Sequence, residues 1–353
     1  MGVTLADVAA RARVSAATVS RVLSGNYPVA ESTRSRVLRA VEELEYVVNG
    51  PASALAAASS DLIGILVNDI ADPFFGVIAG AVQTELGGAA GPGGEKLAVV
   101  CSTGGSPERE LTYLTLLQRQ RAAAVVLTGS ASEDAAHARA LEAKLARLSG
   151  AGTRVVLCGR PAAGDPGPDA AAPFTTLAFD NRGGAEQLTA YLAGLGHVRI
   201  GCVAGPAGRT TTGERLAGHR AALAAHGIED DPRRTVQGAY DRASGYDAAV
   251  ELLRRDEALT AIVAANDTAA LGVCAALRDR GLRIPQDVSV AGFDDLPFSM
   301  DAAPALTTVR LPLQEAGTRA GRLATGREEP PPGGLATLRA ELLVRRSTAV
   351  PHA

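Results

Sequence analysis

The sequence predicts an α/β protein: an N-terminal unit of three short helices, then a two-lobed body of parallel sheets flanked by helices. Three observations carry this. Residues 1–48 contain three short runs with helical apolar spacing and no strand-like run. From Leu62 onward, short β-branched-rich runs alternate with helical stretches, the pattern of parallel sheets covered on both faces. These runs are too many for one five- or six-stranded sheet, and a Pro/Gly/Ala stretch, "RPAAGDPGPDAAAPF" (160–174), falls near their middle. Two similar lobes with a cleft between them follow, the cleft being where ligands of open α/β sheets bind.

Thr4 is placed to cap the first helix, whose Leu5, Val8, Ala9 and Ala12 keep i, i+3, i+4, i+7 spacing. Ser15 caps the second, which turns Val19, Val22 and Leu23 to one side and ends at Gly25. The third, over 32–46, is expected to bury Val37, Leu38, Val41 and Leu44. None persists alone at this length, so the three must share one small core. A helix, a tight turn over 12–15 and a second helix form a helix-turn-helix arrangement. There the first residues of the second helix face base edges in the major groove. Ala16 and Ala17 permit close approach and offer methyls to thymine, while Arg21 carries the fork that fits guanine O6 and N7. Ser15, Thr18 and Ser20 supply hydroxyls for phosphates, and Thr4 and Asn49 complete the DNA-facing set. The same pattern also describes a plain three-helix bundle that binds nothing. Six Arg against five acids give residues 1–48 a net charge of only +1, though Glu42, Glu43 and Glu45 gather at the far end of the third helix.

Between the two parts, Pro51 suits a first helical turn and Ala52–Ala58 has high helix propensity, but the segment is marginal in water by itself. It is expected to become helical only when something packs against it. The body follows with "LIGILV", "KLAVVCS", "AAVVLT", "RVVLCG", "TTLAFD", "RIGCVAG", "TAIVAA" and "VSVAGF" as strands. Residues 75–86, 108–121, 183–195, 215–226 and 268–280 are among the helices between them, and 87–95 and 328–334 are exposed loops.

Composition excludes several classes. A net charge of −3 rules out a uniformly basic nucleic-acid binder, so any DNA contact is local. The N-terminus has no apolar signal-peptide core and no run long enough to span a bilayer, so the chain is expected to be soluble and cytoplasmic. Cys101, Cys158, Cys202 and Cys274 are widely spaced with no CxxC pair and read as buried free thiols; no metal or cofactor is expected. GxSxG, GxxxxGK and HExxH are all absent and the five histidines are scattered, which argues against an enzyme.

"TLADVAARARVSAATVSRVLSG" and "TRSRVLRAVEELEYVVN" resemble the N-terminal domain of the lactose-repressor (LacI/GalR) family of bacterial transcription regulators. "IGILVNDIADPFF", "FDNRGGAEQLTAYLAGLGHVRIGCVAGP", "ERLAGHRAAL", "AANDTAALGVCAALRDRGLRIPQDVSVAGFDD" and "PALTTVRLPLQEAG" extend the resemblance, in family order, over almost the whole chain. The resemblance implies a DNA-binding headpiece over 1–48, a hinge over 49–60 and an effector-binding, dimerising domain over 61–353 of periplasmic-binding-protein-like fold. It places an N-lobe at about 61–160 and 312–327 and a C-lobe at about 161–311 and 328–353. It further implies a homodimer, most simply a repressor, on a pseudo-palindromic double-stranded operator, away from any membrane. The hinge would become helical in the minor groove and push Leu55 into the central base step; packing within the linker is the alternative role for Leu55. A solute-binding transport protein shares the two-lobed fold but has no headpiece.

The chain departs from the family at Val48 and Ser53, where Pro and Arg are usual, and in the uncharged "AAASS" after the hinge leucine, so fewer phosphate contacts are expected. Ala30 replaces a frequent cap of the third helix. By family position, the effector candidates are Asp72, Phe74, Arg160, Arg215, Tyr240, Asn266, Asp267 and Asp294. Carboxylates accept from vicinal hydroxyls, arginine forks donate to oxygens and aromatic rings cover apolar sugar faces. A sugar or sugar phosphate is the expected effector, with a purine or nucleoside as the alternative. Asp267 is also placed to cap a helix, Asp180 and Asn181 read as caps outside the site, and Phe75 reads as core. Gly159 stands where an acid is common beside Arg160, and Leu311 where some relatives carry a polar contact.

Overall fold

A computed structural model describes residues 3–24, 28–46, 60–87, 96–161 and 174–352. The N-terminal unit is α1 (Leu5–Ala12), α2 (Ala16–Ser24) and α3 (Glu31–Glu43). Thr4 caps α1 in a reciprocal box: Asp7 N–H donates to Thr4 Oγ1, while Thr4 N–H donates to Asp7 Oδ2 at 2.8 Å. Arg13, in the left-handed region at φ 55°, ends the helix and turns the chain. Ser15 Oγ then accepts from Thr18 N–H at 3.1 Å to open α2. Val8, Ala9, Ala12, Val19, Val22, Val37 and Ala40 form the shared core, and an Arg11–Glu43 ion pair ties α1 to α3. Leu38, expected inside, is 47% exposed. The buried stripe of α3 runs through Val37, Ala40, Val41 and Leu44, and a residue one step past Val37 turns about 100° away from it.

The body contains β1 (Leu62–Val67), α4 (Pro73–Gly87), β2 (Leu97–Ser102), α5 (Pro107–Arg119), β3 (Ala124–Thr128), α6 (Ala135–Gly150), β4 (Arg154–Cys158), β5 (Thr175–Phe179), α7 (Asn181–Gly194) and β6 (Ile200–Ala204). It continues with α8 (Thr210–Ala225), β7 (Thr235–Gln237), α9 (Arg242–Arg255), β8 (Ala261–Ala264), α10 (Asp267–Asp279) and β9 (Ser289–Asp294). β10 (Thr307–Arg310), α11 (Leu313–Thr325), β11 (Leu335–Leu338) and β12 (Glu341–Leu343) complete it.

The strands form two six-stranded sheets, ordered β11-β5-β4-β3-β1-β2 and β12-β10-β9-β8-β6-β7. Every pairing is parallel except β10 with β12. Strand order reverses between β1 and β3 in the first sheet and between β6 and β8 in the second. Those reversals open crevices at the carboxyl ends of the strands. Helix pairs cover the sheets closely where a side chain is missing: a Cβ on Gly218 of α8 would sit 2.1 Å from the Arg182 carbonyl of α7.

The lobe boundaries differ from those expected. β5 pairs with β4 and β11 in the first sheet, so the chain leaves that lobe at Asp180 instead of near 160. It returns at Pro312, where α11 packs on α4, and leaves again after Leu338. The Pro/Gly-rich stretch, whose residues 162–173 lie outside the described residues, therefore falls between two strands of one sheet. Its composition signals a break in regular structure but carries no information on which sheet comes next. Residues 328–334 form the expected, mostly exposed loop, while 88–95 fall outside the described residues. Cys158, Cys202 and Cys274 are buried free thiols, with burial pushing Cys158 and Cys202 up to about 12; Cys101 is half-buried. Among the described residues, no helix is long and apolar enough to cross a membrane.

Candidate functional site

Two surfaces carry the predicted residues. On the N-terminal unit, Ser15, Ala16, Ala17, Ser20 and Arg21 are exposed along one end of α2, with Thr18 half-buried. From Ser15 to Ala17 no side chain is larger than serine's, so the helix start can approach another surface closely. Ser15 and Thr18 hydroxyls lie 2.9 Å apart, and the Thr4 hydroxyl donates to Asp7 Oδ2 at 2.6 Å. The Ser15 and Thr4 hydroxyls therefore have capping duties before any contact outside the chain. Asn49, Leu55, Val48 and Ser53 lie outside the described residues.

Between the lobes lies a cleft of about 710 Å³ built from the carboxyl ends of both sheets. From the first lobe, Asp72 and Phe74 enter after β1. From the second come Arg215 in the first turns of α8, Tyr240 before α9, Asn266 after β8 and Asp294 at the end of β9. Arg215 organises the floor: Nη2 donates to Asp294 Oδ1 at 2.8 Å, Nε to Asn181 Oδ1 at 3.0 Å, and Nη1 to the Ala265 carbonyl. Its guanidinium also lies 3.7 Å from the centroid of the Phe293 ring. Asp294 and Asp295 are held at φ 103° and 57°, left-handed conformations that non-glycine residues adopt at a cost, and such strain clusters where function requires it.

Burial pushes the Asp294 carboxyl up to about 6, with Arg215 pulling it down and Asp72 pushing it further up. Burial also raises Asp72, opposed by the Phe74 N–H and reinforced by Asp69. The Tyr240 hydroxyl, raised by burial, meets Thr212 Oγ1 at 2.7 Å. Asn266 caps α10 by accepting from Ala269 N–H at 2.8 Å and donates to the Tyr240 carbonyl, so it aims the loop as well as lining the cleft. Phe74 packs edge-on against Phe179 at 6.2 Å, making an apolar wall. Phe75 is core, as expected.

Two candidates do not line the cleft. Arg160 turns into the first lobe, where Nη2 donates to Glu110 Oε1 at 2.5 Å and His137 Nε2 meets Glu110 Oε2 at 2.9 Å. Burial is the strongest single influence and raises the Glu110 carboxyl, but the Arg160 charge, the Arg160 hydrogen bond and His137 together hold the group low. Asp267 is fully buried behind Asp294, accepting from Leu296 N–H at 2.7 Å and Thr308 Oγ1 at 2.6 Å. Burial and then Asp294 push it up to about 8. Asp180 caps α7 as expected, through Gly183 N–H at 2.9 Å, but Asn181 belongs to the cleft and orients Arg215.

The lobes also touch at the cleft mouth. The loop between β3 and α6 lies against the loop between β6 and α8: Thr210 N–H donates to the Ala131 carbonyl and Ala131 N–H to Thr210 Oγ1, each at 3.1 Å. Glu133 N–H donates to Gly208 O at 2.8 Å, and Arg209 Nη2 donates to Gly105 O at 2.6 Å. The arrangement is a cleft lined by polar groups and closed at its mouth. It offers no nucleophile beside a base, and no group of metal-ligating side chains occurs among the described residues.

Residues 4–49 match the family of bacterial regulatory proteins of the lacI type, and residues 189–348 match a periplasmic binding protein-like domain. The chain is 30% identical to the HTH-type transcriptional regulator DegA of Bacillus subtilis, with 99% of each chain covered. It is 35% identical to the regulator GalS of Salmonella typhimurium, covering 91% of this chain and 89% of that one. Among solved structures, it is similar to the transcriptional regulator CelR in complex with cellobiose, at 32% identity, TM-score 0.66 and 98% and 99% coverage. The lac repressor dimer bound to operator and the anti-inducer ONPF gives TM-score 0.77 at 27% identity, covering 99% and 100%.

Proposed function

Because the chain belongs to the lacI family of bacterial regulatory proteins, we propose that α2 reads base edges in the major groove and that a polyhydroxylated effector between the lobes sets DNA affinity. It is a DNA-binding transcriptional regulator and not an enzyme. The observation that carries the effector reading is the convergence of Asp72, Phe74, Arg215, Tyr240, Asn266 and Asp294 on one cleft from two separate sheets. An effector there touches both lobes, so it favours one lobe arrangement over another, and differential affinity is what shifts such an equilibrium. The protein acts in the cytoplasm as a dimeric repressor on a pseudo-palindromic operator, with Ala16, Ala17 and Arg21 on bases and Ser15, Thr18, Ser20 and Thr4 toward phosphates. Asn49 and Leu55 lie in the hinge, Leu55 as the minor-groove wedge.

Genomic fragments selected by the full-length protein provide the test. Arg21→Ala should lose about 1–3 kcal/mol at selected sites and relax base preference in each half-site, with a smaller loss on random DNA. Equal losses on both would make Arg21 a phosphate contact and remove it from base reading.

A further inference from the structure

The charges around the cleft narrow the class of effector. Four carboxylates, from Asp69, Asp72, Asp241 and Asp294, line it against two guanidinium groups, from Arg209 and Arg215, and no Lys, His or Glu joins them among the described residues. Arg160 and His137 lie beside the cleft, but both are taken up by Glu110. Residues 25–27, 47–59, 88–95 and 162–173, outside the description, contain no Lys, Arg or His. The carboxylates feel one another, since Asp69 raises Asp72 and Asp72 raises Asp294 beyond what burial does.

Both arginines already have partners within the protein. All three nitrogens of the Arg215 guanidinium are engaged by Asp294, Asn181 and the Ala265 carbonyl, and Arg209 is drawn across the cleft mouth to Gly105. By contrast, Asp69, Asp72 and Asp241 each accept a backbone N–H, from Ala71, Phe74 and Ser244, and keep further lone pairs for hydroxyl donors. A cation would still face two guanidinium groups. Hydroxyls that donate to carboxylates, on a ring whose apolar face lies against Phe74 and Phe179, meet no such opposition.

We infer that the effector is an uncharged saccharide and that sugar phosphates and nucleotides are rejected. The inference rests on the effector reading above. The experiment measures the thermal midpoint of the full-length protein with a small-molecule cell extract separated by ion exchange into neutral, anionic and cationic fractions. Inorganic phosphate serves as a further probe at matched ionic strength. Binding to the native state raises the midpoint by mass action. The neutral fraction should raise it, the rise should shrink in Asp72→Asn/Asp241→Asn, and phosphate should do nothing. A sugar recovered from that fraction should bind at least about tenfold more tightly than its phosphate ester, a factor of about 1.4 kcal/mol. A rise with the anionic or cationic fraction instead, or a phosphate ester that binds as well as its parent, overturns the inference and leaves the effector reading standing. No rise with any fraction overturns the effector reading, and the inference with it.

Discussion

Arg215 reaches Asp294, Asn181 and the Ala265 carbonyl at once, and Asp294 has no other cation among its hydrogen-bond partners. Removing Arg215 strands a buried carboxylate, a change that costs about 3–5 kcal/mol in comparable pairs. A second buried group gives a cleaner test because it lies away from the cleft. His219 on α8 is 3% exposed and shares a 2.8 Å hydrogen bond with Thr189 on α7, and burial lowers it from 6.5 to about 4. Above pH 6.5 the ring is neutral in folded and unfolded chains alike, so its contribution is intact there. As pH falls from 6.5 toward 4, only the unfolded chain takes up the proton, and stability drops by about 1.4 kcal/mol per pH unit. Urea unfolding of wild type and His219→Gln at pH 7.5 and 5.5 measures this. The stability of wild type relative to the variant should fall at the lower pH; a pH-independent difference would show that folding leaves the His219 pKa unchanged, and a rise would show that the ring is charged in the fold. The raised Asp267 and Asp294 act in the opposite sense and cancel in that difference. Family position made most of the cleft legible in the sequence, but it says nothing of side-chain direction. Arg160 and Asp267 sit at the ends of β4 and β8 like the true lining residues, yet each finds a stronger partner inward, in Glu110 and in Thr308 with Leu296 N–H. Asn181 was hidden by its neighbour, since an Asp-Asn pair before a helix reads as two capping residues and only Asp180 caps.

Among elements, α1 is eight residues long and depends on its ends. The box between Thr4 and Asp7 satisfies amide groups that a helix this short leaves open in large proportion. Thr4→Ala should destabilise the N-terminal unit by about 0.5–2 kcal/mol. Hydrogen exchange on the intact protein should quicken across residues 5–12 and stay unchanged in β1 and β3; slowing or no change in 5–12 would mean the cap is idle. The longer strands declared themselves as unbroken apolar runs: β3 is buried throughout and β1 from Ile63 onward. β7, β10, β11 and β12 are three or four residues each, too short for a period to be seen, and their places are set by the sheets they complete. Leu38 failed for the opposite reason. Its type suggested burial, while the stripe through Val37 and Val41 had already claimed the face.

Across the whole molecule, three chain crossings join the lobes, at 180, near 312 and between 338 and 341, and the contact between residues 130–133 and 208–211 closes the mouth. Thr210 is central to that contact because its hydroxyl accepts from Ala131 N–H while its own N–H donates to Ala131 O. Thr210→Val removes the acceptor and should cost about 0.5–1.5 kcal/mol. Small-angle scattering of the protein without effector should then give a larger radius of gyration than wild type. An unchanged radius would mean that the crossings alone hold the lobes together. The crossings have one more consequence, in the order of synthesis. A chain made from its N-terminus has all three helices of the headpiece, with their own core, by residue 46, but the first sheet lacks β11 until residue 338. At about 5–20 residues per second, that interval is on the order of half a minute. During translation the three-helix unit is therefore complete well before the first sheet of the body that follows it.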